Sequence, residues 1–304
     1  MTYFVQTIID AVSLGSLYAL VALAIGLVFG IMRLINFVQA DYITVGAYAL
    51  IIPSTAVAPT LFIGAWPLPA AVLTIIAITI ALALITERVV FRPLRTADPT
   101  ILLIASFSLS YLLQHAVLLI YSGKPKPIGF AAYLSESITF LGLRVPQIQL
   151  VTMGVCLLLL VALTLFLRNT RIGIQMRASA EDFGMARVLG VRANSVIALA
   201  FAISGLLGGV VALLFVIQIG SIDFRMGVLP VIYAFFAAVI GGLGSLVGAA
   251  LGGFILGFGS QMLQAYLPGD MRPLRDAFLF GGVILILLVR PQGLVHSRSS
   301  RERV

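Results

Sequence analysis

The side chains able to do chemistry in this chain gather in two short stretches. The first is Arg33-Leu-Ile-Asn36-Phe-Val-Gln39-Ala-Asp41-Tyr42, a polar interruption between two long apolar runs. Its amides and carboxylate offer hydrogen bonds and one negative charge to a polar solute. A charge near the centre of a bilayer costs several kcal/mol, so Arg33 and Asp41 must sit at the interface, line water or pair. Two placements follow: an interfacial one, and one in which Asn36, Gln39 and Asp41 face a substrate path.

The second stretch is the polar loop 171–195. Ala180, Phe183, Ala186 and Leu189 recur there at helical spacing, while Glu181 and Asp182 take the first turn, where the helix dipole favours acids. Gly190 follows as a natural stop. This predicts a short amphipathic helix, which either lies flat on lipid or inserts its apolar face into a groove on a partner.

The remaining chemistry is sparse. The phosphate-cradling pattern G-x-x-x-x-G-K-[ST] does not occur, and Gly123-Lys124 is followed by Pro125, which cannot open the required helix. With two histidines, His115 and His296, no His-rich metal site or His-centred triad can be assembled. The single cysteine, Cys156, rules out an internal disulfide and a cysteine-based metal cluster. The chain therefore reads as a non-enzyme that binds no metal or cofactor directly.

The elements that must position these residues are membrane helices. Hydrophobic residues make up 61% of the 304 and charged ones 10%, with a mean hydropathy of +1.14, whereas soluble domains carry about 25% charged residues. Runs such as Leu157 to Leu167 and Val283 to Val289 do not alternate as barrel strands would. The expected fold is all-α: a polytopic transmembrane bundle of about eight to ten spans with a short amphipathic cytoplasmic helix, to which the resemblance given below assigns a coupling role. Candidate spans are 13–31, 40–58, 68–86, 99–120, 149–167, 195–220, 228–243, 246–266 and 274–289. Residues 1–12 either lie in the interface or extend the first helix, and the N-terminus lacks the basic region of a signal peptide.

Alternation of those spans places Arg33, Arg88, Arg92, Arg95, Arg168, Arg171, Arg177, Arg187, Arg192, Arg290, Arg298, Arg301 and Arg303 on one side, 13 of the 19 basic residues. The positive-inside rule makes that side cytoplasmic, C-terminus included, and leaves the +8 net charge to topology and lipid rather than nucleic acid. The connection 121–148, rich in glycine and proline, reads as a folded outer cap. Glycines four apart, among them Gly205 and Gly209, Gly244 and Gly248, and Gly248 and Gly252, predict close helix packing. The glycine-rich run 241–253 is either a break between half-helices or a cytoplasmic turn.

Taken in order, LGSLYALVALAIGLVFGIMRLINF at 14–37, ERVVFRPLR at 87–95, MRASAEDFGMARVLGV at 176–191, GGLGSLVGAALGGFILG at 241–257 and RPQGL at 290–294 carry a resemblance. The chain resembles, nearly end to end, the LivH-type permeases of ABC importers for branched-chain amino acids. That resemblance implies one transmembrane permease domain over residues 1–304 of a bacterial inner membrane, with an outer loop at about 121–148 and a coupling loop at about 168–194. It implies a second permease subunit, either a paralogue or a second copy, two ATP-binding subunits that use ATP and magnesium, and an extracytoplasmic substrate-binding protein. It also implies that residues 176–191 dock into the ATPase, with Glu181, Asp182, Arg187 and Gly190 matching the loop pattern. Where many members read N-F-A-H-G-E, this chain reads Asn36-Phe37-Val38-Gln39-Ala40-Asp41. Branched-chain amino acids, urea, short amides, aromatic acids and other amino acids all remain open as cargo.

Overall fold

The structure, a computed structural model, describes residues 2–95, 97–140, 143–242, 244–290 and 293–294. The basic tail with His296, Arg298, Arg301 and Arg303, and two residues of the RPQGL run, lie outside the described residues.

Helices dominate: α1 Thr2–Met32, α2 Gln39–Tyr48, α3 Leu68–Thr86, α4 Pro99–Tyr121, α5 Gln147–Asn169, α6 Arg171–Glu181, α7 Phe183–Val188, α8 Ala193–Ile219, α9 Val228–Gly241, α10 Leu246–Tyr266 and α11 Arg275–Val289. Among the described residues, α1, α3, α4, α5, α8 and α10 are long and apolar enough to cross a bilayer. The chain is a polytopic helical bundle. Most of α1 and α8 is buried, whereas α3, α4 and α5 turn most of their surface outward. The bundle is therefore built around α1 and α8.

One open alternative closes at this level and two expectations change. The first helix takes in residues 2–12, and at 1.5 Å per residue its 31 residues reach about 46 Å, longer than a hydrocarbon core of about 30 Å. The expected span 40–58 is not one: α2 stops after 10 residues, and the chain turns back through an antiparallel bridge between Ile51 and Leu61. Pro53 and Pro59 lie in that stretch, where neither can donate a backbone hydrogen bond. The helices α9 and α11, at 14 and 15 residues, are also shorter than a full crossing.

Small residues set the packing, as they must where lipid is as apolar as leucine. Gly205 of α8 lies so close to α3 that a Cβ there would stand 2.6 Å from the Thr79 carbonyl oxygen, and Gly209 faces the Thr79 side chain one turn later. Gly248 and Gly252 of α10 face the backbone of Gly241 and Ala237 on α9. Gly244 differs: it sits in the 242–245 turn between α9 and α10 at φ +97°, with no atom within 4 Å of a Cβ position. A helix-packing role does not suit it, and the run 241–253 holds the end of α9, the turn closed by the Ser245 N–H on the Gly242 carbonyl, and the first turns of α10. Polar bonds add to the packing: the Gln149 amide donates to Asp10 Oδ1 at 2.7 Å, and the Gln218 amide to Thr152 Oγ1 at 2.9 Å.

The two ends of the bundle differ. One end carries the 92–95 turn, α6, α7 and the 242–245 turn, and is rich in arginine. The opposite end carries the 121–147 connection, which is a folded cap. Its strand β1 (Lys126–Pro127) pairs with β4 (Ser221–Ile222) after α8, and β2 (Ser137–Phe140) pairs with β3 (Leu143–Pro146). Lys126 is fully buried, and its Nζ donates to the carbonyls of Ser54, at 2.9 Å, and Ala56. It ties the 52–62 loop to the cap. Lys126→Met should lower stability by about 1–3 kcal/mol, since bonds from a charged donor are worth about that much. A thermal melt in detergent, with faster proteolysis within residues 52–62, checks it.

Candidate functional site

Between α1 and α2 the backbone leaves the helix at Arg33, whose φ is +53°, and runs non-helically to Val38. Irregular backbone at membrane depth persists only where protein or a cavity covers it and its polar groups find partners. Ser106 of α4 supplies both: the Phe37 N–H donates to Ser106 Oγ at 2.7 Å, and the Ser106 hydroxyl donates to the Ile35 carbonyl at 3.2 Å. Asn36 Oδ1 accepts the Val38 N–H at 3.2 Å.

The short helix α2 then enters the bundle with its polar residues buried. Asn36, Gln39 and Asp41 are each 1% exposed, enclosed by the surrounding helices. Gln39 grips α8: its Nε2 donates to the Ser204 carbonyl at 3.2 Å, and its Oε1 accepts the Ser204 hydroxyl at 2.5 Å. Ser204 stands roughly 16 Å along α8 from its start, about half the thickness of a hydrocarbon core. Tyr42 shares a 2.6 Å hydrogen bond with Thr86 of α3, and at Gly208 a Cβ would come within 3.0 Å of the Tyr42 Cβ. The α2–α3–α8 contact is thus tight and locked by glycine.

On its other side α2 meets α4. Ser106, Ser110 and Gln114 recur every fourth residue and form a polar stripe on the buried face of α4, where the Gln114 amide donates to Ser110 Oγ at 3.0 Å. Asp41 faces Ser110 and Gln114. Two polar atoms near the break are buried without a partner: Asp41 Oδ2, on the α4 side, and Asn36 Nδ2, which lies toward Tyr42. The sequence reading missed Ser106, Ser110, Gln114, Ser204 and Thr86. For the α4 residues the signal was present as the spacing of four; Ser204 and Thr86 gave none, because they become polar partners only through the fold.

At the basic end the predicted single helix is two. Asp182 separates α6 from α7 with an extended backbone, and its carboxylate accepts the Met185 N–H at 2.9 Å as an N-cap. Glu181 therefore ends α6 instead of opening a helix, and Ala180 belongs to α6 with Phe183 and Ala186 on α7. Gly190, at φ +86°, closes α7: its N–H reaches the Arg187 carbonyl and the Val191 N–H reaches that of Ala186, both at 3.0 Å, a Schellman motif. The expected apolar face splits. Ala186 is buried and Phe183 half-buried, whereas Leu189 is 78% exposed beside Val188 at 81% and Met185 at 59%, with Arg187 also exposed.

A cleft of about 460 Å³ joins this element to the α1–α2 break, lined among others by Gly30, Arg33, Arg95, Glu181, Asp182 and Phe183. A Cβ at Gly30 would stand 3.9 Å from that of Ala180, so α6 rests on the last turn of α1. Arg95 pairs with the buried Glu87 in a π-helical turn, Glu87–Phe91, and donates to Asn194 Oδ1 of α8 at 2.5 Å. The end of α1, the turn that carries Arg95 and the start of α8 thus meet the α6–α7 element around one cleft.

The sequence model of the family described as "Branched-chain amino acid transport system / permease component" matches residues 7–288. The chain is 36% identical over 300 residues to the high-affinity branched-chain amino acid transport system permease protein BraD of Pseudomonas aeruginosa, covering 96% of both chains. It is 34% identical over 304 residues to the permease protein LivH of Escherichia coli K12, again covering 96% of both. A probable LivH permease of Methanocaldococcus jannaschii is 26% identical over 289 residues, with 92% of this chain and 86% of the relative covered. No solved structure matches. With the family model spanning nearly the whole helical bundle, the chain belongs to the permease components of branched-chain amino acid transport systems.

Proposed function

We propose that this chain is the membrane-spanning subunit of an ATP-driven importer and that the polar seam between α2 and α4 lies on its substrate path. The observation that supports the reading is the buried break at residues 33–38, which leads into α2 and lies one packing contact from α6; Asn36 in it and Gln39 and Asp41 just beyond it are enclosed by protein. The cargo is an amino acid, branched-chain or a related small polar solute such as urea or an amide. The arginine-rich end faces the cytoplasm, by the charge bias of its turns. There the exposed Met185, Val188 and Leu189 of the α7 region seat in a groove of an ATP-binding subunit.

Two ATP-binding subunits, using ATP and magnesium, a second permease subunit and an external binding protein complete the transporter. The chain itself hydrolyses nothing. When the ATP-binding subunits close, α6 and α7 move, and α6 passes that motion to the end of α1 through the Gly30–Ala180 contact. Because α2 is locked to α3 and α8, the seam that opens is the one against α4, where Ser106, Ser110 and Gln114 supply a polar wall. Alternating access then amounts to parting and rejoining α2 and α4.

Co-expression with the two ATP-binding subunits tests the assignment. They should copurify with the chain in detergent, and vesicles holding that assembly with the second permease subunit and the binding protein should take up labelled L-leucine on addition of ATP and magnesium. Copurification with neither subunit would overturn the reading.

A further inference from the structure

We infer that Asp41 is the counter-ion for a positively charged amino group on the transported solute. This rests on the transport reading above and adds what the path recognises.

The geometry points there for three reasons. Asp41 is 1% exposed and one of its carboxylate oxygens, Oδ2, has no hydrogen-bond partner. Among the described residues the two side-chain ion pairs are Arg95–Glu87 and Arg275–Asp276, so no described cation pairs with Asp41. The wall facing it, Ser110 and Gln114, is polar and uncharged. A carboxylate at this depth without a cation is costly, and helices of this kind keep such groups where a substrate or ion meets them. Asn36 Nδ2, also buried and unpartnered, lies toward Tyr42 and away from this wall. The seam itself offers one acid, the complement of an ammonium group.

The seam is closed in this structure, and α4 is the neighbour that can leave. Gln39 and Tyr42 hold α2 to α8 and α3, whereas α4 is tied to this region through Ser106 and the break. Parting at α4 uncovers Asp41 and leaves Gln39 bonded to Ser204.

Charge and shape can be separated by two substitutions in the complete transporter. Asp41→Asn keeps the shape and removes the charge; Asp41→Glu keeps the charge and changes the shape. In proteoliposomes with the ATP-binding subunits and binding protein, Asp41→Asn should lower the uptake rate of labelled L-leucine at least tenfold. Asp41→Glu should retain more than a third of it, and both variants should copurify with the ATP-binding subunits as the parent does. Uptake by Asp41→Asn equal to or above that of Asp41→Glu would overturn the counter-ion assignment while leaving the transport reading standing. Absence of ATP-dependent uptake by the parent would instead strike the transport reading itself.

Discussion

Val188→Asp combined with Leu189→Asp should abolish ATP-driven uptake and release the ATP-binding subunits on purification, while the permease still reaches the membrane folded. Both side chains are largely exposed at the tip of α7 and touch little of their own bundle, so charging them leaves the chain's core intact. In a groove, each apolar anchor that becomes desolvated contributes about 2 kcal/mol or more. Losing two weakens docking by about 4 kcal/mol, roughly a thousandfold in dissociation constant. Copurification and ATP-dependent uptake, measured beside the melting temperature of the isolated permease, check the prediction. A melting temperature unchanged with both activities lost is the expected pattern. Unchanged uptake would remove α7 from the coupling surface.

Gly205→Leu should prevent the bundle from assembling. A Cβ there would already stand 2.6 Å from the Thr79 carbonyl oxygen and 2.8 Å from the Ala83 Cβ, and the first of these is backbone that cannot rotate away. Overpacking usually costs about 1–3 kcal/mol and more where no side chain can yield, so a loss above about 3 kcal/mol is expected. Gly154→Leu is the matched control, because nothing lies within 4 Å of a Cβ at that position on α5. It should leave the melt within about 0.5 kcal/mol of the parent, as surface changes do. Fluorescence size-exclusion of the two variants side by side separates a packing effect from a general cost of adding leucine.

These two cases also mark what could be read from the chain before folding. Hydropathy located α3, α4, α5, α8 and α10 because each is a long unbroken apolar run, and the four-residue glycine spacing on α8 pointed to the face that meets α3. The run 40–58 misled because a window average registers apolarity and not where a helix ends; α2 stops at Tyr48, before the window changes character. The α6–α7 break turned on Asp182, which favours the cap of a new helix over the interior of an old one by bonding the Met185 N–H. Periodicity alone joined Ala180 to Leu189 across it.

The candidate site was half legible. Asn36, Gln39 and Asp41 stood out because polar side chains between apolar runs are conspicuous. Their partners stood out less, since Ser106, Ser110 and Gln114 sit among leucines and aromatic residues on a helix that otherwise looks outward, with only their spacing of four as a signal. A serine hydroxyl that caps the backbone of a broken segment 69 residues away becomes recognisable only when the two segments are brought together.

Reconstitution is the most direct test of the division between conduit and motor. Proteoliposomes containing this chain, its companion permease, both ATP-binding subunits and the binding protein should concentrate L-leucine when ATP and magnesium are added, and should not when any one is withheld. Concentrative uptake by this chain alone, with neither nucleotide nor a companion subunit, would contradict the account.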